Sequence, residues 1–312
     1  MTAYTLNDTI KIKKRSGRNM EQLKQRKRRF GDRYDGFRVR ESDPLFHVIP
    51  HIMRSRLDSQ VFFEEQIDIS NLRSFILEHR EEIPHLSVYH IFVAAAIRTM
   101  VQKPRLNRFI SGRKVYSRSY LRASLTVKKS MHKDADEALV MPEFLPTDTL
   151  REIAYKFNEA VDKVKSEGET NDTDITVKLI NLLPGFVKKF VVWGIRNLDA
   201  IGKMPKIINR VSPFHSSLFI TNVGSIGLRS VYHHLYEFGT TSVFLAIGKK
   251  EIVRELNSDG TVSNKNVINI RLVLDERICD GYYFATAVKT FKQLMKNPEL
   301  LLTPPESISE DY

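Results

Sequence analysis

The stretch that most constrains this chain runs from Val267 to Met295. Val267 to Leu274 is a β-rich run that alternates apolar and polar residues, and Phe284 to Met295 repeats apolar residues at helical spacing. Between them lies Asp275-Glu276-Arg277-Ile278-Cys279-Asp280-Gly281, a charged cluster in a strand-to-helix connection. Asp280 can hydrogen-bond nearby amides and hold such a turn, and Gly281 permits backbone conformations that other residues resist. Ile278 and Cys279 are expected to tuck inward.

A chain of 312 residues with 42% hydrophobic content can bury a substantial core as one large or two ordinary domains. Its formal net charge of +12 raises the question of anionic partners: nucleic acid, a membrane surface or a phosphorylated substrate. The single cysteine, Cys279, excludes an internal disulfide and any zinc site built on several cysteines, which fits a reducing compartment. The N-terminus has no apolar secretory core, and no apolar run approaches the roughly 18 residues of a spanning helix. A cytoplasmic protein is expected, with no metal.

Residues 1–42 read as a basic, flexible N-terminal arm, densest at Lys24-Gln25-Arg26-Lys27-Arg28-Arg29, and the folded domain as residues 43–312. The arm suits phosphates or anionic headgroups, or is a solvated tail. No base-reading module accompanies it, so nucleic acid is not the expected partner. Beyond it the pattern predicts a short helical or irregular segment to Arg54, a strand over Ser59 to Ile69, and a helix from Asn71 to about Arg80. Ser87 then caps a largely buried helix over Val88 to Val101. Strands follow at Asn107 to Ile110, Lys114 to Val115, Ser124 to Lys129 and Ala138 to Pro142, with a polar turn at Lys133 to Asp136. A long amphipathic helix runs from Thr147 to about Lys165, and a polar loop over Ser166 to Asp174.

Residues 175–211 form a hydrophobic insertion studded with basic residues. This pattern suits a helical hairpin on the core, the lining of an apolar substrate tunnel, or a helix at a bilayer interface. Two buried helices are the preferred expectation. After Pro213, the pattern gives a strand at Ser216 to Asn222, a glycine-rich bend at Val223 to Gly227, a strand at Ser242 to Lys249 and a turn at Asn257 to Gly260. The glycine pair of the bend is weak evidence for phosphate binding.

Three segments taken together carry a resemblance: Leu218-Phe219-Ile220-Thr221-Asn222-Val223-Gly224, Val243-Phe244-Leu245-Ala246-Ile247-Gly248, and Asp275 to Gly281. They resemble the catalytic domain of the dihydrolipoyl acyltransferase (E2) subunits of 2-oxoacid dehydrogenases and, through them, chloramphenicol acetyltransferase. That family's hallmark is His-x-x-x-Asp-Gly after a central strand. The resemblance implies an α/β fold, a two-layer sandwich with a mixed sheet, that forms homotrimers with active sites between subunits. It also implies coenzyme A or an acyl-CoA as substrate, and a small-molecule acyl donor and acceptor. In that family the histidine is general base, a serine or threonine hydroxyl stabilises the oxyanion, and the aspartate holds the turn. Asp280 and Gly281 match the motif, Thr221 falls at the hydroxyl position, and Asn222 and Gly224 support the site.

Glu276 stands where the family has its histidine. An ordinary glutamate, near pKa 4.3, faces a thiol near 8.5 across about 4 units, ~6 kcal/mol, against ~3 kcal/mol for histidine. Burial at an interface is what would make such a base effective. Three outcomes follow. Glu276, or a histidine such as His215, His233 or His234, serves as base; or the site binds CoA or acyl groups without turnover; or the fold is an oligomeric scaffold and Glu276 makes a structural salt bridge. Cys279 is expected to pack rather than react. The roughly 40 basic residues ahead of the core accommodate neither a lipoyl nor a subunit-binding domain, so a stand-alone acyltransferase without a lipoyl attachment site is expected. A peripheral contact with an anionic membrane is a further expectation from the arm and the insertion.

Overall fold

The computed structural model describes residues 26–128, 137–166 and 182–311. The polar turn expected at Lys133 to Asp136, residues 1–25 of the expected arm and residues 175–181 of the insertion lie outside the described residues.

Among the described residues, ten strands form two sheets, with helices around them. A mixed seven-stranded sheet is built from β2 (Gln60–Asp68), β5 (Leu121–Lys128), β6 (Glu137–Val140), β7 (Glu143–Phe144), β8 (Leu218–Asn222), β9 (Val243–Leu256) and β10 (Val262–Asp275). Its main path runs β2-β10-β9-β8-β5-β6, with β7 paired to β5. β8 lies parallel to both β5 and β9, and the other pairs are antiparallel. β1 (Gly36–Arg38), β4 (Lys114–Arg118) and β3 (Arg108–Ser111) form the smaller sheet.

The helices are α1 (Pro44–Ile52), α2 (Leu72–His79), α3 (Val88–Gln102), α4 (Leu150–Ser166), α5 (Gly185–Ala200), α6 (Lys206–Val211) and α7 (Gly281–Lys296). One face of the large sheet is covered by α4, on β6 and β7, and by α7, on β2, with α3 against both helices, while α1 meets β4 of the small sheet. A capping box starts α3: the Ser87 side chain meets the His90 backbone, and the His90 ring accepts from Ser87 N. From His90 to Val101 every residue of α3 is buried, which is why its sequence is apolar on all sides rather than along one stripe. Fully burying each Ile or Phe there contributes about 1.5–3 kcal/mol. The opposite sheet face is covered by the extended segment after β8, through Leu235 and Tyr236 on Phe219, Phe244 and Val273.

Two expectations change. The boundary near residue 42 is not where burial begins, because Arg33, Asp35 and Val39 are buried and β1 pairs with β4. Arg33 grips Asp35 through Nε and Nη2 (2.7 and 2.9 Å) and reaches Asp199 Oδ1 at 2.6 Å. The charge that looked like a solvated tail is thus partly a buried ion-pair network. Nor is the described part of the insertion a pair of buried helices. Asp199 is the buried residue of α5, while Phe186, Phe190 and Trp193 are 69%, 69% and 64% exposed.

Candidate active-site turn

Asp275 closes β10 with a buried carboxylate. It accepts from Ser59 Oγ at 3.0 Å and takes the Arg277 guanidinium at two points, Nε at 2.8 Å and Nη2 at 2.7 Å. Arg277 also donates to the Met53 carbonyl at 3.1 Å, tying the turn to the exit of α1. Ile278 and Cys279 point into the core. Burial, together with the neighbouring Asp280 charge, pushes the Cys279 thiol up to about 12, so it is a packed and unreactive group. Asp280 caps α7, its Oδ1 accepting from Tyr283 N at 2.7 Å. The space around Gly281 is open and its φ is not positive, so neither strain nor crowding within the chain demands glycine there.

Glu276 is held by its backbone alone, its N–H donating to Ser59 O at 2.8 Å. Its side chain is exposed and makes no hydrogen bond or ion pair among the described residues. The burial that would favour a glutamate base is therefore not supplied within one chain. Arg277 is not its partner either, since Asp275 occupies the Nε–Nη2 edge of that guanidinium and the Met53 carbonyl takes Nη1.

Thr221 and Asn222 end β8, half-buried and level with Ala246 and Ile247 of β9. Asp275 N bonds Ser242 O, at the opposite end of the same strands. Four residues of strand and two strand spacings separate Thr221 from Asp275, roughly 16 Å, so one chain does not bring Thr221 and Glu276 together. Gly224 packs on β9: a Cβ there would lie 2.4 Å from the Gly248 carbonyl oxygen. The glycine bend thus serves close backbone approach within the fold.

Among the candidate replacement bases, His233 stacks on Phe244 at 4.1 Å and neither it nor His234 is hydrogen-bonded to Glu276. His215 is buried against Ser212, its Nδ1 2.7 Å from Ser212 Oγ and its Nε2 3.6 Å from Asp199 Oδ2. Burial lowers its pKa, against the opposing pull of Asp199. Burial favours the neutral acid at Asp199, but His215 and Arg33 outweigh it and hold the carboxyl at about 2.

A small apolar cavity of about 50 Å³ lies between α3, α7 and the sheet, lined by residues such as Met100, Leu245, Ile270, Phe284 and Phe291. Each of these residues appears in the sequence as ordinary core, so periodicity alone does not mark the cavity. No group of three His, Cys, Asp or Glu residues is placed to hold a metal among the described residues.

Residues 214–303 match the family model of the 2-oxoacid dehydrogenases acyltransferase catalytic domain. A probable dihydrolipoamide acetyltransferase from Listeria monocytogenes superposes with a TM-score of 0.54 at 13% identity, over 88% of this chain and 99% of that one. The fold is that of an acyltransferase core. The dihydrolipoamide acetyltransferase of Azotobacter vinelandii, investigated for the role of a serine, a histidine and an asparagine in its catalytic mechanism, superposes at 14% identity. It covers 84% of this chain and 94% of its own, with a TM-score of 0.54. A chloramphenicol acetyltransferase gives 9% identity, 83% and 99% coverage and a TM-score of 0.52. None of the curated protein sequences matches the chain. The sequence match includes Thr221 and the whole Asp275–Gly281 turn, and the acyltransferase fold extends well beyond it.

Proposed function

We propose that this acyltransferase-fold chain transfers an acyl group between coenzyme A and a small thiol or hydroxyl acceptor, at sites assembled between copies of itself. The supporting observation is the construction of the motif turn: Asp275, Arg277 and Asp280 are each fixed by hydrogen bonds, while Glu276 between them is left free to face outward. Glu276 takes the place of the histidine in the acyltransferase motif and accepts the acceptor's proton. The resulting thiolate or alkoxide attacks the thioester carbonyl. The Thr221 hydroxyl, from a neighbouring copy, donates to the oxyanion. When the intermediate collapses, the carbon–sulfur bond to CoA breaks and Glu276 returns the proton to the departing thiolate, so the step balances. A facing subunit also supplies the burial that a glutamate base requires.

Association has its own support. Beyond the sheet, β9 and β10 continue as a two-stranded ribbon on which Ile252, Leu256 and Val262 are exposed. An isolated two-stranded ribbon is marginally stable in water, and a second copy would cover it. A homotrimer follows the acyltransferase resemblance. The one cysteine is compatible with a cytoplasmic setting, and no helix among the described residues is long and apolar enough to cross a membrane. Peripheral contact with an anionic membrane is supported by the exposed Phe186, Phe190 and Trp193 beside Lys188 and Lys189 on α5.

The test is incubation with a panel of acyl-CoAs and thiol or alcohol acceptors, following free CoA thiol, for the native chain and for Glu276→Gln. Release by the native chain and its loss in Glu276→Gln are expected. One observation favours a second reading, a non-catalytic homologue that binds CoA or acyl groups or acts as a scaffold: Glu276 has no side-chain partner to orient it. CoA binding without release in the presence of any acceptor establishes that reading instead.

A further inference from the structure

A cleft of about 230 Å³ opens on the side of the motif turn, walled by the segment after α1, the β3–β4 hairpin, the end of α5 and residues 237–239. Arg54, Arg56, Arg113, Arg196 and Arg277 line it. Of the carboxylates on its wall, Asp199 is paired with a cation, while Glu237 bonds a backbone amide and keeps its charge. Asp199 holds Arg33 at 2.6 Å, and Glu237 Oε1 accepts from Leu57 N at 3.0 Å. Arg277 is neutralised by Asp275. The other four arginines have no direct ion-pair partner among the described residues, so the wall keeps an excess of positive charge over the one carboxylate, Glu237, that no cation pairs.

Arg56 makes this more than a solvated basic patch. It is 6% exposed; its terminal nitrogens reach only the carbonyls of Glu237 and Ile110, both at 3.3 Å, and its Nε has no partner. No carboxylate bonds it directly: Asp275, Glu237 and Asp199 act on it only through space, and Asp275 and Asp199 are bonded to Arg277 and Arg33, so a bound anion would offset its burial more fully. His215, 1% exposed, lines the same cleft and its Nε2 also lacks a hydrogen bond.

Backbone geometry at the rim points the same way. Gly112 and Arg113, the two central residues of the β3–β4 turn, both have positive φ, 54° and 59°. Asparagine or glycine suits this turn, and an arginine there is strained. A Cβ on Gly112 would lie 2.5 Å from the Ala200 carbonyl oxygen, so the turn is wedged against the end of α5. Arg113 and Arg196 therefore converge from two segments locked together, one of which belongs to the hydrophobic insertion.

We infer that this cleft binds a phosphate-bearing ligand through Arg54, Arg56, Arg113 and Arg196. Guanidinium forks match phosphate oxygens, and four arginines without a bonded carboxylate suit a multiply charged group better than a single carboxylate. The volume exceeds that of a lone ion and leaves room for the organic body of a phosphoester. The site stands on the cleft's own geometry and does not require acyl transfer.

The experiment titrates the full-length protein by calorimetry with inorganic pyrophosphate and with coenzyme A, and by sedimentation with phosphatidylcholine vesicles containing phosphatidic acid. The variant Arg54→Ser/Arg113→Gly/Arg196→Ser removes exposed arginines only, and Arg113→Gly relieves strain. Its thermal midpoint is expected to hold or rise while affinity falls about tenfold or more. Binding of the soluble probes, lost in the variant, identifies a soluble phosphoester. Binding confined to the vesicles, lost in the variant, identifies a lipid headgroup. Absence of binding with all three probes, or equal binding by the native chain and the variant, overturns the inference.

Discussion

Arg277 clasps Asp275 at 2.8 and 2.7 Å while the residue between them, Glu276, turns outward without a side-chain partner. Adjacent carboxylates thus have opposite tasks, one holding the turn and one exposed at its apex. Asp275→Ala strands two buried arginines, Arg277 and its neighbour Arg56, and is expected to cost about 3–5 kcal/mol in chemical denaturation. Glu276→Ala should stay within about 0.5 kcal/mol of the native chain. Equal losses for the two would show that Glu276 also carries the turn.

Thr221 and Glu276 lie at opposite ends of the sheet, so a reaction using both needs two copies. Thr221→Val is expected to lower kcat by about 10²–10³-fold, as removal of an oxyanion donor does. Mixing Thr221→Val with Glu276→Gln chains under conditions of subunit exchange should restore activity, to roughly one quarter of native under random assembly. Two inactive variants that stay inactive when exchange is demonstrated would place the residues in separate functions.

Asp280 fixes the start of α7 through one hydrogen bond to Tyr283 N. Asp280→Ala should cost about 1 kcal/mol, and Asp280→Asn only a few tenths, because asparagine is an equally good cap. Thermal unfolding of the two variants checks this. A similar loss in both would mean that the aspartate charge, rather than the cap, matters at the turn.

The strand, turn and helix around Asp280 were legible in the sequence because each rests on local chemistry: alternation, a capping aspartate and a helical period. The resemblance carried the two-layer, mixed-sheet architecture that local patterns do not contain, though not the strand order. What escaped were relationships between distant residues. Arg33 reads as part of a basic tail because its partner Asp199 lies 166 positions away. The arginine cleft is scattered across four segments, and nothing in the sequence distinguishes Arg56 from a surface arginine. The separation of Thr221 from Glu276 depends on strand register, which composition does not reveal. The apolar residues of α5 suggested burial because hydrophobicity indicates a preference for leaving water without indicating what provides the cover.

His90 is buried with both ring nitrogens committed: Nδ1 accepts from Ser87 N at 3.2 Å and Nε2 donates to Asn158 Oδ1 at 3.0 Å. That arrangement fits the neutral ring. Burial depresses the pKa to about 4 from the 6.5 of an unfolded histidine. Below 6.5 the unfolded chain takes up a proton that the folded chain refuses. Stability is therefore full above about pH 6.5 and falls as pH drops toward 4, by up to ~3 kcal/mol from this residue. Buried His215 acts in the same direction. Denaturation midpoints measured from pH 7.5 to 4 should show the decline, and His90→Gln should flatten it. An unchanged slope in that variant would assign the pH dependence to other groups.

On α5, Phe186, Phe190 and Trp193 follow the i, i+4, i+7 spacing of one helical stripe, with Lys188, Lys189 and Arg196 on the same helix. Aromatic side chains beside lysines suit the headgroup region of an anionic bilayer, where apolar burial and charge attraction add. The chain is expected to sediment with phosphatidylserine vesicles and weakly with phosphatidylcholine alone, and added salt should weaken the binding without abolishing it. Replacing Phe186, Phe190 and Trp193 with serine removes about 1.5–3 kcal/mol of burial at each position, so vesicle affinity should fall about 100-fold or more. If the stripe is instead covered by another copy of the chain, the same variant will dissociate the oligomer in analytical ultracentrifugation and leave vesicle binding unchanged.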